Sequence, residues 1–291
     1  MTSTKSLNAD PRPTATTWRT APTRTINVAG TPFVYRELGP RTGVPIIFLH
    51  HFTAVLDDWD PRVIDGVAAK RHVITFDNRG VGASGGSVPH TIGEMAADAV
   101  AFIRALDYEQ VDLLGFSLGG GVAQFITLDH PELVRRLILA GTGPAGGGGI
   151  EKINRIAAAA YTKAALTLRD PRHYLFFTRT PDGKRAATDY MARLKERTED
   201  RDQRISLQAR LAQLKAIRAA ALQAPHDLGQ IRQPVFVANG DDDVMVASSH
   251  SVDLSKRIPN AKLTIYPDSG HGGVFQHHQQ FVPAVLEFLE S

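Results

Sequence analysis

Six short apolar runs, separated by segments of helical pattern, constrain the fold of this chain more than any other feature. They are Val44–Leu49, Val73–Phe76, Val111–Leu114, Leu137–Ala140, Val235–Ala238 and Leu263–Tyr266, each four to six residues long. Runs that are apolar almost throughout suit strands buried on both faces, the situation in a parallel sheet. Between them, Ile92, Met95, Ala99, Ile103 and Leu106 recur at helical spacing, and Phe281–Leu289 carries a second apolar stripe. Thr91-Ile92-Gly93-Glu94 has the spacing of a capping box, which marks a helix start. Strand alternating with helix predicts an α/β fold, a mostly parallel central sheet flanked by helices on both faces. Ahead of it, Thr25–Val28 and Phe33–Tyr35 predict a hairpin across Ala29-Gly30.

One interval breaks the alternation. Residues 146–228 hold no strand pattern, only helical patterns rich in Ala, Leu and Arg. Gly146–Gly149 opens the interval and Ala224-Pro225-His226 closes it, residue types that suit hinges. The expected organisation is therefore a core of residues 24–145 and 229–291 carrying an inserted helical cap, 146–228. Residues 1–23, rich in Thr, Pro and Ala, are expected to form a flexible arm.

Composition excludes several function classes. The 291 residues contain no cysteine, so disulfides, thiol nucleophiles and thiolate metal sites are all ruled out. A net charge of +3, with Lys and Arg scattered among Asp and Glu, argues against a nucleic-acid surface. No apolar run reaches the length of a membrane span, and residues 1–23 lack the apolar segment of a secretory signal. A cytoplasmic protein with a small-molecule substrate, and with no membrane or nucleic-acid partner, is the expectation.

Gly115-Phe116-Ser117-Leu118-Gly119 follows one apolar run and precedes another apolar segment. This is G-x-S-x-G in a strand–turn–helix setting, which lifts a serine Oγ out of a sheet at a helix N-terminus. There, free N–H groups favour developing negative charge. A serine hydroxyl needs a base within hydrogen-bond reach. His271, flanked by Gly270, Gly272 and Gly273 after the last apolar run, is the best placed of the 11 histidines. His277 and His278 look like solvated residues at the start of the last helix. The supporting acid is expected after the preceding strand, where Asp241, Asp242 and Asp243 leave the choice open. His50 and His51 suggest no metal, because no third ligand stands at a recognisable spacing. The glycines 119–121 lack the Lys-Ser/Thr of a phosphate loop.

The order Ser, Asp, His, together with these motifs, resembles the α/β-hydrolase superfamily from about Thr25 to the C-terminus. Leu49-His50-His51-Phe52 resembles its H-G-x oxyanion segment, and Asp77–Ser84 its D-x-R-G-x-G-x-S turn. Gly240-x-x-Asp243 resembles its acid turn, which favours Asp243, with Asp242 second. The resemblance implies a catalytic triad of Ser117, Asp243 and His271, and an oxyanion hole from the N–H groups of Phe52 and Leu118. His51 stands where the family usually has glycine, a departure that bears on Phe52 more than on Leu118. No cofactor is implied.

The expected activity is hydrolysis of an ester-type bond through an acyl-enzyme, as in a carboxylesterase or lactonase. Cofactor-free perhydrolysis, carbon–carbon bond hydrolysis and a ligand receptor with little turnover are the alternatives. His51, Phe176, Phe177 and Met245 are candidates for the substrate pocket. Among the cap's apolar residues, Leu175, Phe176, Phe177 and Met191 are candidates to line a pocket for a small apolar acyl or alcohol group, with packing of cap against core as the competing role.

Overall fold

The computed structural model describes residues 16–146 and 150–291, with the backbone alone for 150–155. Residues 1–15 of the expected arm and Gly147–Gly149 of the expected hinge lie outside this range. The hairpin β1 (Arg24–Val28) and β2 (Thr31–Leu38) opens the fold. It is followed by β3 (Ile46–Leu49), α1 (Pro61–Ala68), β4 (Val73–Phe76), α2 (Ile92–Ala105), β5 (Val111–Phe116), α3 (Leu118–Asp129) and β6 (Val134–Ala140). Four helices come next: α4 (Ile150–Thr167), α5 (Arg172–Leu175), α6 (Pro181–Arg193) and α7 (Leu207–Ala221). The chain then returns to the sheet with β7 (Val235–Gly240), α8 (Ser248–Arg257), β8 (Ala261–Tyr266), α9 (Gly273–Gln276) and α10 (His278–Glu290).

The eight strands form one sheet in the order β1-β2-β4-β3-β5-β6-β7-β8. β1 and β2 join antiparallel, and β4 onward every pairing is parallel. β3, β4, β5 and β7 are buried along their whole length. That explains their unbroken apolar sequences, because helices cover both faces. Side chains of α2, α3 and α8 fill one face and those of α1 and α10 the other. The helix start expected at Thr91 is capped as predicted, though by a variant of the box: Thr91 Oγ1 accepts from the Glu94 N–H at 3.2 Å, and the Glu94 carboxylate accepts from that hydroxyl at 2.8 Å.

The flexible arm expected over residues 1–23 is corrected at its described end. Trp18 is 1% exposed and lies with its ring 5.1 Å from the guanidinium carbon of the buried Arg36. Its backbone N–H donates to Asp65 Oδ1 at 2.6 Å, while Arg197 Nη1 donates to the carbonyls of Trp18 and Ala21 at 2.9 Å. A lone aromatic in a polar stretch has no periodicity to betray such an anchor.

Candidate active site

The C-terminal ends of the parallel strands lie side by side, so the loops leaving β3, β5, β7 and β8 converge at one edge. Ser117 is the first residue beyond β5 and has φ +55° and ψ −114°. An L-residue held there carries strain of about 1–3 kcal/mol, sustained by the surrounding packing. The motif's glycines are there because the backbone leaves no room for a side chain. A Cβ on Gly115 would lie 2.3 Å from the Gly119 carbonyl oxygen, and one on Gly119 would lie 2.1 Å from that of Leu49.

His271 and Asp243 meet directly. Asp243 Oδ2 lies 2.7 Å from His271 Nδ1, and its Oδ1 accepts from the N–H groups of Met245 and Val246 at 2.8 and 2.9 Å. Both residues are buried. With Nδ1 donating to a carboxylate, Nε2 is the free base position. Asp242, by contrast, is exposed, and Asp241 Oδ1 accepts from the Ser269 N–H at 3.1 Å. Of the three acids, only Asp243 reaches the imidazole. Ser117 and His271 line the same cavity, although Ser117 Oγ and His271 Nε2 form no hydrogen bond here. Unliganded sites commonly hold such pairs loosely.

The N–H groups of Phe52 and Leu118 have no protein acceptor among the described residues. Leu118 opens α3, where the first N–H groups of a helix lack internal partners. Next to Phe52, Thr53 has φ +66°, and its N–H is held at 2.8 Å by the buried Gln213 of α7. The sequence gives no sign of Gln213, because it contacts a loop 160 positions away.

His51 fills the place of the usual glycine. Its ring packs between Phe116 and Phe176, with centroids 5.4 and 5.3 Å away. Nδ1 lies 2.8 Å from the Phe52 carbonyl oxygen and must donate to it, while Nε2 is buried without a partner. Burial lowers its pKa to about 4. His50 is lowered further, to about 3, by burial and then by neighbouring His51, and its Nε2 lies 3.3 Å from Thr75 Oγ1. Both imidazoles are neutral at pH 7. Among the described residues, no three His, Asp or Glu side chains converge as metal ligands.

A cavity of about 1220 Å³ opens above Ser117, roofed by residues of α4, α5 and α7. Of the expected pocket residues, His51, Phe176 and Met245 line it, as do Leu175 and Met191. Phe177 does not, and its expected pocket role is corrected: it is buried against Tyr190, 5.5 Å between centroids. Phe176 does two things, because its carbonyl also accepts from the Gly272 N–H at 2.8 Å. A Cβ on Gly272 would lie 2.9 Å from Phe176 Cβ, so the glycines flanking His271 admit this residue. His277 is not simply solvated either. It stacks on Tyr266 at 5.2 Å, with Nε2 3.0 Å from the Pro267 carbonyl oxygen. His278 Nδ1 similarly lies 3.0 Å from the Phe275 carbonyl oxygen.

Comparison with known proteins agrees with this architecture. A solved alpha/beta hydrolase fold protein from Chitinophaga pinensis superimposes with a TM-score of 0.88 at 37% identity, covering 95% of this chain and 100% of that one. The non-heme chloroperoxidase of Streptomyces lividans is 28% identical over 275 residues, 90% of this chain and 97% of its own. The enol-lactonase of Burkholderia xenovorans LB400 shares the fold, with a TM-score of 0.74 at 21% identity over 92% of this chain and 100% of that one. No helix among the described residues is long and apolar enough to cross a membrane. The family model for the alpha/beta hydrolase fold matches residues 44–278, and the chain belongs to that family.

Proposed function

We propose that this protein is a serine hydrolase that cleaves an ester-type bond of a small molecule through an acyl-enzyme on Ser117. The observation that carries the reading is the His271–Asp243 pair at 2.7 Å, lining one cavity with a serine held at positive φ on a strand–helix turn. In this reading His271 Nε2 takes the Ser117 proton as Oγ attacks the carbonyl carbon. Asp243 stabilises the resulting imidazolium and fixes its tautomer. The N–H groups of Phe52 and Leu118, without acceptors among the described residues, receive the oxyanion. His271 then returns the proton to the leaving alkoxide and activates the water that releases the acid. His51, neutral and hydrogen-bonded to the Phe52 carbonyl, braces the oxyanion segment. The helices over residues 146–228 act as a cap that sets substrate shape.

The likeness to a chloroperoxidase favours a second reading, in which the acyl-enzyme is attacked by hydrogen peroxide instead of water. It uses the same serine chemistry up to that step. Hydrolysis of short-chain p-nitrophenyl esters by the wild type and by Ser117→Ala, with fluorophosphonate labelling followed by intact mass, tests the shared part. Turnover and labelling that disappear together in the variant support it; labelling that persists there identifies another nucleophile and ends the proposal. Peroxide-dependent halogenation by the wild type in acetate buffer separates the second reading from the first.

A further inference from the structure

The cavity above Ser117 holds six Arg and Lys side chains against five aspartates, and the aspartates are already engaged. Arg172 pairs with Asp58 and Asp170, and Arg201 with Asp57 at 2.9 Å. Arg257 lies 3.4 Å from Asp253, and Asp202 abuts the carboxyl group of Asp77. Lys195 and Arg204 also lack an ion pair among the described residues, but both are exposed to solvent; Arg210 is the cation without one that is partly buried. Among the described residues it forms no ion pair and no side-chain hydrogen bond, although it is half-buried and its Nε is sealed from solvent without an acceptor.

A cation on a helix is ordinarily a solvated surface group, but Arg210 stands on the cavity-facing stripe of α7. Leu214 and Ile217, one and two turns further on, line the same cavity. The Tyr161 ring of α4 lies 5.7 Å from the guanidinium carbon and covers it, leaving the remaining N–H groups to the cavity. An unpaired guanidinium in a concave, partly apolar site is matched by a planar anion that accepts two parallel hydrogen bonds. The near balance of charge around it favours a single negative charge over a dianion, which the five aspartates would repel.

We infer that Arg210 is a specificity-determining residue that receives a carboxylate carried by the substrate at a distance from the scissile carbonyl. The inference deepens the serine-hydrolase reading and rests on it for the chemistry at Ser117. The preferred substrate is then a monoanionic half-ester or a lactone bearing a free carboxylate. A hydrogen bond to a charged group, once desolvated, is worth roughly ten- to one-hundred-fold in affinity.

The test compares mono-p-nitrophenyl glutarate with p-nitrophenyl valerate, its neutral counterpart, as a ratio of kcat/KM. Arg210→Gln is expected to lower that ratio by roughly ten- to one-hundred-fold, mainly through KM for the half-ester. Arg210→Lys retains the charge without the fork and should give an intermediate ratio. Arg218→Gln removes the same charge from the exposed side of α7 and should leave the ratio at its wild-type value. An unchanged ratio in Arg210→Gln, or an equal fall in Arg218→Gln, overturns the inference. Binding of monomethyl glutarate by calorimetry, measured in Ser117→Ala with and without Arg210→Gln, separates this question from the nucleophile. Weaker binding in the double variant upholds the role of Arg210 even if Ser117 proves not to react. Absent or equal binding overturns it.

Discussion

Two carboxyl groups press against each other where the turn after β4 meets the loop before α7, and this contact makes stability depend on pH in a calculable way. Asp77 Oδ1 and Asp202 Oδ2 accept from the same Leu56 N–H at 3.0 and 3.1 Å. A Cβ on Gly82 would lie 2.1 Å from Asp77 Oδ2 and 2.7 Å from Asp202 Oδ2, so the two oxygens crowd one spot. Burial, and then the neighbouring Asp202 carboxylate, hold the Asp77 pKa well above 3.8. A proton shared by the pair satisfies Oδ2, which otherwise has no partner. The folded chain thus keeps a proton that the unfolded chain releases above pH 3.8. The contribution of Asp77 to stability is full below that pH and is lost as pH rises toward its folded pKa. One proton corresponds to about 1.4 kcal/mol per pH unit. His50 and His51, lowered from 6.5 to about 3 and about 4, act in the opposite sense: their contribution is present above pH 6.5 and is lost as pH falls through those values. They are common to both proteins compared, so they cancel in the difference. Asp77→Asn keeps an oxygen for the Leu56 N–H and supplies a permanent N–H to Asp202. Its stability relative to wild type should therefore rise as pH climbs from about 3.8 toward the folded pKa of Asp77, at a slope of up to about 1.4 kcal/mol per pH unit, and level off beyond it. Urea unfolding at half-unit pH steps, followed by the fluorescence of the buried Trp18 and Trp59, measures the difference directly. Parallel profiles with a constant offset would show that the pair shares no proton.

Asp243→Asn should lower kcat on p-nitrophenyl esters by about 10⁴ while leaving the fold intact, because the amide stabilises the wrong imidazole tautomer. Asp242→Asn should change kcat by less than about twofold, and an equal loss in both would reassign the acid. Trp18→Ala should destabilise the protein by about 3–5 kcal/mol, because it empties a buried site in the core beneath the Arg36 guanidinium. A denaturation midpoint unchanged by that substitution would mean that residues 16–23 are dispensable to the fold. Gly119→Ala puts a Cβ 2.1 Å from the Leu49 carbonyl oxygen and must displace β3 or the turn. Loss of fluorophosphonate labelling is expected there, and full labelling would contradict the close-packing account of the motif.

What could be read from the sequence, and what could not, divides along the distance over which each residue acts. The apolar runs Ile46–Leu49 and Val235–Gly240 announce themselves because burial on both faces leaves no polar position to interrupt them. Ser117 is legible because the tight turn that carries it demands glycine at two fixed neighbours. The pairing of His271 with Asp243, rather than with Asp241 or Asp242, needed the turn's geometry as well as its composition. The supports of the site are long-range and leave no local trace. Gln213 holds Thr53 from α7, Phe176 fills the space beside Gly272, and Asp202 meets Asp77. Each joins the interval between β6 and β7 to a loop at the sheet's C-terminal edge: the first to the loop after β3, the second to the His271 loop, the third to the turn after β4. Phe176 and Phe177 are adjacent and chemically alike, yet one lines the cavity and the other packs on Tyr190. Only the path of the backbone at that point distinguishes them. The same reasoning explains Arg210, which in sequence is one more cation in an arginine-rich helix. That it has no ion pair among the described residues emerges once Asp57, Asp58, Asp170 and Asp253 are seen to be taken by other arginines.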